Sequence, residues 1–184
     1  MAILVAAALR VAGEIDSNYM NILRIFKHLL TPAWYARRAF PAAALNRIEA
    51  LIKQSEGAHR GEIRFALEGD LHLLALLKGA TARTRAIGVF SDLRVWDTEE
   101  NTGVLLYLQL VDRDFEIVAD RGINALVKPD EWEAICKHME AAFRENRYQD
   151  GVVAGLQEIT ALLTRHFPAR DDNPDELSNK PVLL

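Results

Sequence analysis

The sequence predicts an α/β protein: a three-layer α/β/α sandwich around a small mixed sheet, preceded by a helical arm. Three observations carry that prediction. Residues 61–70, GEIRFALEGD, alternate apolar and polar side chains, which is the period of a half-buried strand. Residues 104–111, VLLYLQLV, are almost continuously apolar and follow the turn-forming Asn101-Thr102-Gly103, as suits a central strand covered on both faces. Between these two runs lie helical patterns in a stretch long enough for a right-handed parallel crossover.

The elements follow in chain order. Ala2 to Leu9 is apolar, but it lacks a basic lead-in. Arg10 interrupts it well short of the roughly 20 residues that span a bilayer. Residues 1–19 therefore read as an extension, neither a secretion signal nor a membrane span. Residues 20–58 read as the helical arm, with helices over 20–30 and 32–38 and a third from Pro41. Between Asp16 and Glu49 the chain has no acidic residue, whereas Arg24, Lys27, Arg37, Arg38 and Arg47 interleave with Phe26, Trp34, Tyr35 and Phe40. Two readings stand for this arm. Residues 20–40 dock on an anionic membrane surface or a partner, or the stripe Ile22, Ile25, Phe26 and Leu29 packs on the chain's own domain, the commoner use of such a stripe.

In the first strand Ile63, Phe65 and Leu67 share one face, and Glu62, Arg64 and Ala66 share the other. Helices over 70–77 and 81–94 lead to the second strand. Only Asp112-Arg113-Asp114 separates Val111 from FEIVA at 115–119, so the third strand folds back as an antiparallel hairpin. Pro129, followed by two acids, starts a helix buried through Trp132, Ile135, Met139 and Phe143. A last helix, capped by Asp150, turns Val152, Leu156, Ile159 and Leu163 inward. Residues 168–184 are polar, acidic and broken by proline. They are expected to be disordered or to lie as an extended tail.

Bulk composition excludes several functions. With 22 Lys+Arg against 26 Asp+Glu, the net charge of −4 supplies no field toward nucleic acid. Cys136 is the single cysteine, so an intramolecular disulfide and a multi-cysteine zinc site are both impossible; a packed core thiol is expected. The five histidines form no HExxH pattern. Glycine-rich phosphate loops and a GxSxG elbow are absent as well.

The chemistry that remains is carboxylate chemistry. Parallel pairing of the first two strands brings their carboxyl ends to one sheet edge, and with them Glu68, Asp70, Asp112 and Asp114. Ligands of open α/β sheets gather at such an edge. Four carboxylates there suit a hard divalent cation, Ca²⁺ or Mg²⁺. Asp120 is expected at the opposite edge, near Asp97, Glu100 and Asn101. For both groups the competing reading is a set of polar turns, because Asp and Asn are good turn residues in their own right.

The segments NTGVLLYLQLVDRDFEIVADRGI and FRENRYQDGVVAGLQEI together resemble the TPM domain family, over roughly residues 60–167. The family takes its name from a thylakoid lumen protein, a photosystem repair protein and a nematode receptor modulator. The resemblance implies an α/β/α sandwich over residues 59–167, divalent-cation binding as in some members, and the acid-phosphatase activity reported for a plant member. Its commonest layout has a secretion signal ahead and a transmembrane helix behind. Neither is recognised in this sequence, so the expected location is cytoplasmic, with peripheral membrane contact left open by the basic arm. Two functions follow. The preferred one is a non-catalytic, cation-stabilised interaction module assisting a protein partner or membrane complex; the other is a metal-assisted phosphomonoesterase.

Overall fold

The computed structural model describes residues 17–32 and 34–184; the apolar stretch Ala2–Leu9, and most of the extension read over 1–19, lie outside the described residues. Strands β1 (Glu62–Glu68) and β2 (Gly103–Gln109) run parallel, with Glu62 opposite Gly103 and Glu68 opposite Gln109. Strand β3 (Asp114–Ala119) returns antiparallel to β2. The hairpin closes because Arg113 adopts the left-handed conformation, φ 57°, and donates its amide to Leu110 O at 3.2 Å. A fourth strand, β4 (Val182–Leu183), pairs parallel to β1 at the other side, giving the order β3-β2-β1-β4.

Strand alternation sorts the side chains into two layers of core. Ile63, Phe65 and Leu67, with Val104, Leu106, Leu108 and Ile117, face helices α3 (Ala42–Glu56), α7 (Pro129–Arg144) and α8 (Tyr148–His166). Ala66, Leu105, Tyr107 and Val118 face α5 (Ala82–Asp92). Each fully buried Leu, Ile or Phe in these layers contributes about 1.5–3 kcal/mol of transfer free energy. The crossover from β1 to β2 runs through α4 (Leu73–Leu77) and α5. Thr81 caps α5 by accepting the Thr84 amide at 3.1 Å, and the Thr84 hydroxyl accepts the Thr81 amide in return at 3.0 Å. After β3, the short helix α6 (Arg121–Asn124) starts at Asp120. A Cβ on Gly122 would stand 2.4 Å from Glu100 O, so the close approach of these loops requires glycine there.

The structure differs from the sequence expectations in four places. First, β1 is buried along its whole length, on both faces. Its polar set, Glu62 and Arg64, lies under other chain segments and not in water. Second, the tail is extended but not free of the domain. Leu177 and Val182 pack on the α5-side core and Pro181 is buried, so a few apolar residues and one strand pairing hold an otherwise polar segment. Third, α8 begins at Tyr148, two residues ahead of the expected Asp150 cap. Asn146, at φ 60°, is the break that sets its start. Fourth, the arm is not uniform. Phe40, Ile48 and Ile52 belong to the main core, whereas α1 (Ser17–Leu30) turns its polar side inward and leaves Ile22, Phe26 and Leu29 each more than half exposed. The apolar stripe of α1 therefore does not pack on the domain.

Candidate metal centre

At the carboxyl edge of the parallel strands, no three of the four expected ligands bring ligand atoms within 4.8 Å of one another among the described residues. Glu68 is buried, and both its oxygens accept from Arg85 Nε at 2.9 Å. The Tyr107 hydroxyl donates to the same carboxylate. Asp112 accepts from Arg24 Nε at 2.9 Å and stands 3.1 Å from His28 Nε2. Its own amide donates to Gln109 Oε1 at 2.7 Å. Asp70 and Asp114 are exposed. Burial and then the charges of Asp112 and Glu140 push the Asp114 carboxyl upward, a rise its solvent exposure limits. Two of the four carboxylates thus already have guanidinium partners, which the sequence could not show because Arg24 and Arg85 reach them from distant helices.

At the opposite edge, Asp120 accepts the Arg121 amide at 2.7 Å, and Arg121 Nε donates to Asn101 Oδ1 at 2.7 Å. The loop before β2 is held by Glu100, which receives the guanidinium groups of both Arg60 and Arg170. The expected neighbourhood of Asp120 and Asn101 is present, and these contacts are those of turns and caps.

Beside this amino-terminal edge lies a set of carboxylates that the sequence reading did not bring together. Among the described residues, Glu56, Glu62 and Asp175 are the group of three ligand-type side chains whose ligand atoms all lie within 4.8 Å of one another. They come from the last turn of α3, the first residue of β1 and the tail. Glu56 Oε1 accepts the Ile63 amide at 3.1 Å, while Oε2 is buried with no hydrogen-bond partner. Glu62 Oε2 accepts the Leu177 amide at 3.1 Å. Asn179 donates to Asp175 Oδ2 at 3.2 Å and keeps its own Oδ1 buried and unpartnered. Asn173 pins the tail here by donating to Glu56 O at 2.7 Å and His59 O at 3.1 Å. A pocket of about 240 Å³ opens against Glu56, Asn173, Asp175 and Asn179.

The surroundings of this cluster disfavour full ionisation of its carboxyls. Burial pushes the Glu56 carboxyl up to about 8 against the pull of the Ile63 amide and of the neighbouring Asn179 side chain, and the charges of Glu62 and Asp175 add to the rise. Burial raises Glu62 as well, opposed by the tail amides that donate to it. Arg64 is the nearby buried cation; desolvation lowers its pKa, and the Glu56 charge partly restores it. Lys53 and Arg170 line the pocket that opens against the cluster, and the cluster gathers carboxyl oxygens, the donor type of a hard divalent cation. From the sequence, Glu62 reads only as a residue on the second face of a half-buried strand. Asp175 lay in a segment read as acidic tail.

The fold, with helices over both faces of a small mixed sheet, is that of a three-layer α/β/α domain, and comparison with known proteins places it in a family. The TPM domain model matches residues 36–162, so the chain belongs to the TPM domain family. The match begins in α2 (Trp34–Ala39), which brings the later part of the arm inside the family domain. Among solved structures, the chain is similar to the NMR structure of the BA42 protein from the psychrophilic bacterium Bizionia argentinensis sp. nov., at 29% identity and a TM-score of 0.71, over 79% of this chain and 95% of that one. No curated protein matches the chain. Among the described residues, no helix is long and apolar enough to cross a membrane.

Proposed function

We propose that this TPM domain is a non-catalytic interaction module stabilised by a divalent cation, with Glu56, Glu62 and Asp175 as the cation's ligands. The observation that carries the reading is the unpartnered, buried Oε2 of Glu56 within a group of three carboxylates. A buried carboxylate oxygen without a donor costs free energy. An oxygen-preferring cation removes that cost and neutralises the neighbouring charge at once. Asn179 Oδ1 supplies a neutral oxygen beside them, and Ca²⁺ commonly takes such mixed carboxylate and amide sets. In this role the cation ties the tail to the end of α3 and the start of β1.

The phosphomonoesterase reading has one supporting observation. Arg60 and Arg170 line an adjoining pocket of about 300 Å³ together with Thr102. The same pocket, however, is lined by Glu99, Glu100, Asp172 and Glu176, and Glu100 already pairs with both arginines. That surplus of carboxylate repels a phosphate dianion, so the interaction module is the better-supported reading.

Calorimetric titration with CaCl2 and MgCl2 tests the proposal. The expected result is saturable binding of one cation that Glu62→Gln abolishes and Asp112→Asn leaves intact. Parallel assay of a generic phosphate ester with each cation is expected to show no turnover above buffer. Cation binding that survives Glu62→Gln, or turnover that depends on Glu62, overturns it.

A further inference from the structure

Helix α1 is attached to the domain by its polar side. His28 is buried, accepts the Leu71 amide on Nδ1 at 2.9 Å and faces Asp112 through Nε2. Arg24, one turn earlier, reaches Asp112 and also donates to Ala80 O at 2.8 Å. With positions 24 and 28 turned inward, helical periodicity sends the apolar positions outward. Ile22, Leu23, Phe26, Leu29 and Leu30 are all more than half exposed, Leu30 at 77%. Beside α1, α4 exposes Leu74 at 71% and Leu77 at 64%, and Trp34 opens α2 at 56%. Exposed apolar side chains gathered on neighbouring elements in this way mark an interaction site.

The charge around this face selects the occupant. Lys27, Arg37, Arg38 and Lys78 are exposed, and no acidic residue occurs from Ser17 to Ile48. The chain as a whole carries a net charge of −4, so this one basic region stands against the global balance. A basic, aromatic-bearing, amphipathic helix presenting its apolar side outward fits an anionic lipid leaflet: the apolar side chains enter the boundary between headgroups and acyl chains, and the cations meet lipid phosphates. A second copy of the chain would bring the same positive charge to the contact and repel it.

We infer that the outward face of α1, with Trp34 and the exposed leucines of α4, is a peripheral docking surface for anionic membranes. The full chain is mixed with vesicles of phosphatidylcholine alone or with phosphatidylserine, in EDTA so that no cation bridges protein to lipid. The expected result is binding at least tenfold tighter to the anionic vesicles. Replacing Arg37 and Arg38 by alanine is expected to weaken it by about fivefold per charge. Phe26→Ser with Leu30→Ser abolishes it without lowering the melting temperature, because both side chains are exposed. Equal binding to both vesicle types, no binding to either, retention of binding by the Phe26/Leu30 variant, or a concentration-dependent dimer that buries this face in its place each overturns the inference.

Discussion

The carboxylate of Glu56, at the end of α3, accepts the amide of Ile63 in β1 at 3.1 Å through one oxygen while its other oxygen stays buried and unpartnered. This relationship joins a helix end to a strand start and leaves one ligand position open. The energetics of the cluster, and most of the behaviour expected of the chain in solution, follow from it.

The first consequence is a pH dependence of unusual sign. Burial holds the folded Glu56 carboxyl up at about 8, against its ordinary value of 4.5. Between those values the native state holds the extra proton, so Glu56 stabilises the fold at low pH and that contribution is lost as pH rises toward 8. Buried His59, lowered to about 4 by desolvation, acts oppositely: its stabilising effect is present above about 6.5 and lost as pH falls through 4. The two overlap, so the useful quantity is the difference between the parent and Glu56→Gln. Without divalent cation, Glu56→Gln is expected to become progressively more stable relative to the parent from pH 5 to pH 8 in urea melts. A difference that stays flat contradicts the assignment.

Deleting residues 171–184 is expected to destabilise the domain by roughly 2–4 kcal/mol, since it strips away buried Pro181 and half-buried Leu177 and Val182 and removes β4 from β1. Chemical denaturation measures this directly. A change below about 0.5 kcal/mol, typical of a free tail, would show that the docking contributes nothing.

Asp112→Asn is expected to loosen α1, because it removes the charge that Arg24 and buried His28 share. The cost is about 1–3 kcal/mol, read as faster amide exchange at Leu71, whose amide His28 accepts. The substitution leaves cation binding unchanged. Loss of cation binding in this variant would return the metal to the hairpin edge.

Gly122→Ala is expected to be among the most damaging single substitutions outside the core. Its Cβ would meet the backbone of Glu100 at 2.4 Å and of Asn101 at 2.7 Å, and backbone does not swing aside as a side chain does. A loss of about 2 kcal/mol or more in denaturation would be consistent with that clash; a silent substitution would mean the loops part easily.

Much of this architecture is legible in the sequence because local pattern and global fold agree. The uninterrupted VLLYLQLV becomes a central strand, and the three residues at Asp112 leave room only for a hairpin. What is not legible depends on segments that reverse their local pattern. α1 looks like a helix that buries its apolar stripe, but Asp112 attracts the Arg24 and His28 side instead. The tail looks disordered because it is polar, yet Leu177, Pro181 and Val182 and one pairing with β1 suffice to dock it. The candidate cation site suffered from both effects. Glu62 lies on the polar side of the strand pattern, and Asp175 reaches it only because the tail folds back. The hairpin carboxylates, by contrast, could be placed at one edge from topology, but their arginine partners come from α1 and α5, whose faces the sequence did not specify.

Cation binding at Glu56, Glu62 and Asp175 is decided by the melting temperature of the parent, Glu62→Gln and Asp112→Asn with and without Ca²⁺. Ligand at about 100 times its dissociation constant adds about 2.7 kcal/mol to a protein that binds it only when folded. A Ca²⁺-dependent rise is expected for the parent and Asp112→Asn and none for Glu62→Gln. A parent melting curve unmoved by saturating Ca²⁺ and Mg²⁺, or a rise that persists in Glu62→Gln and vanishes in Asp112→Asn, would contradict this assignment.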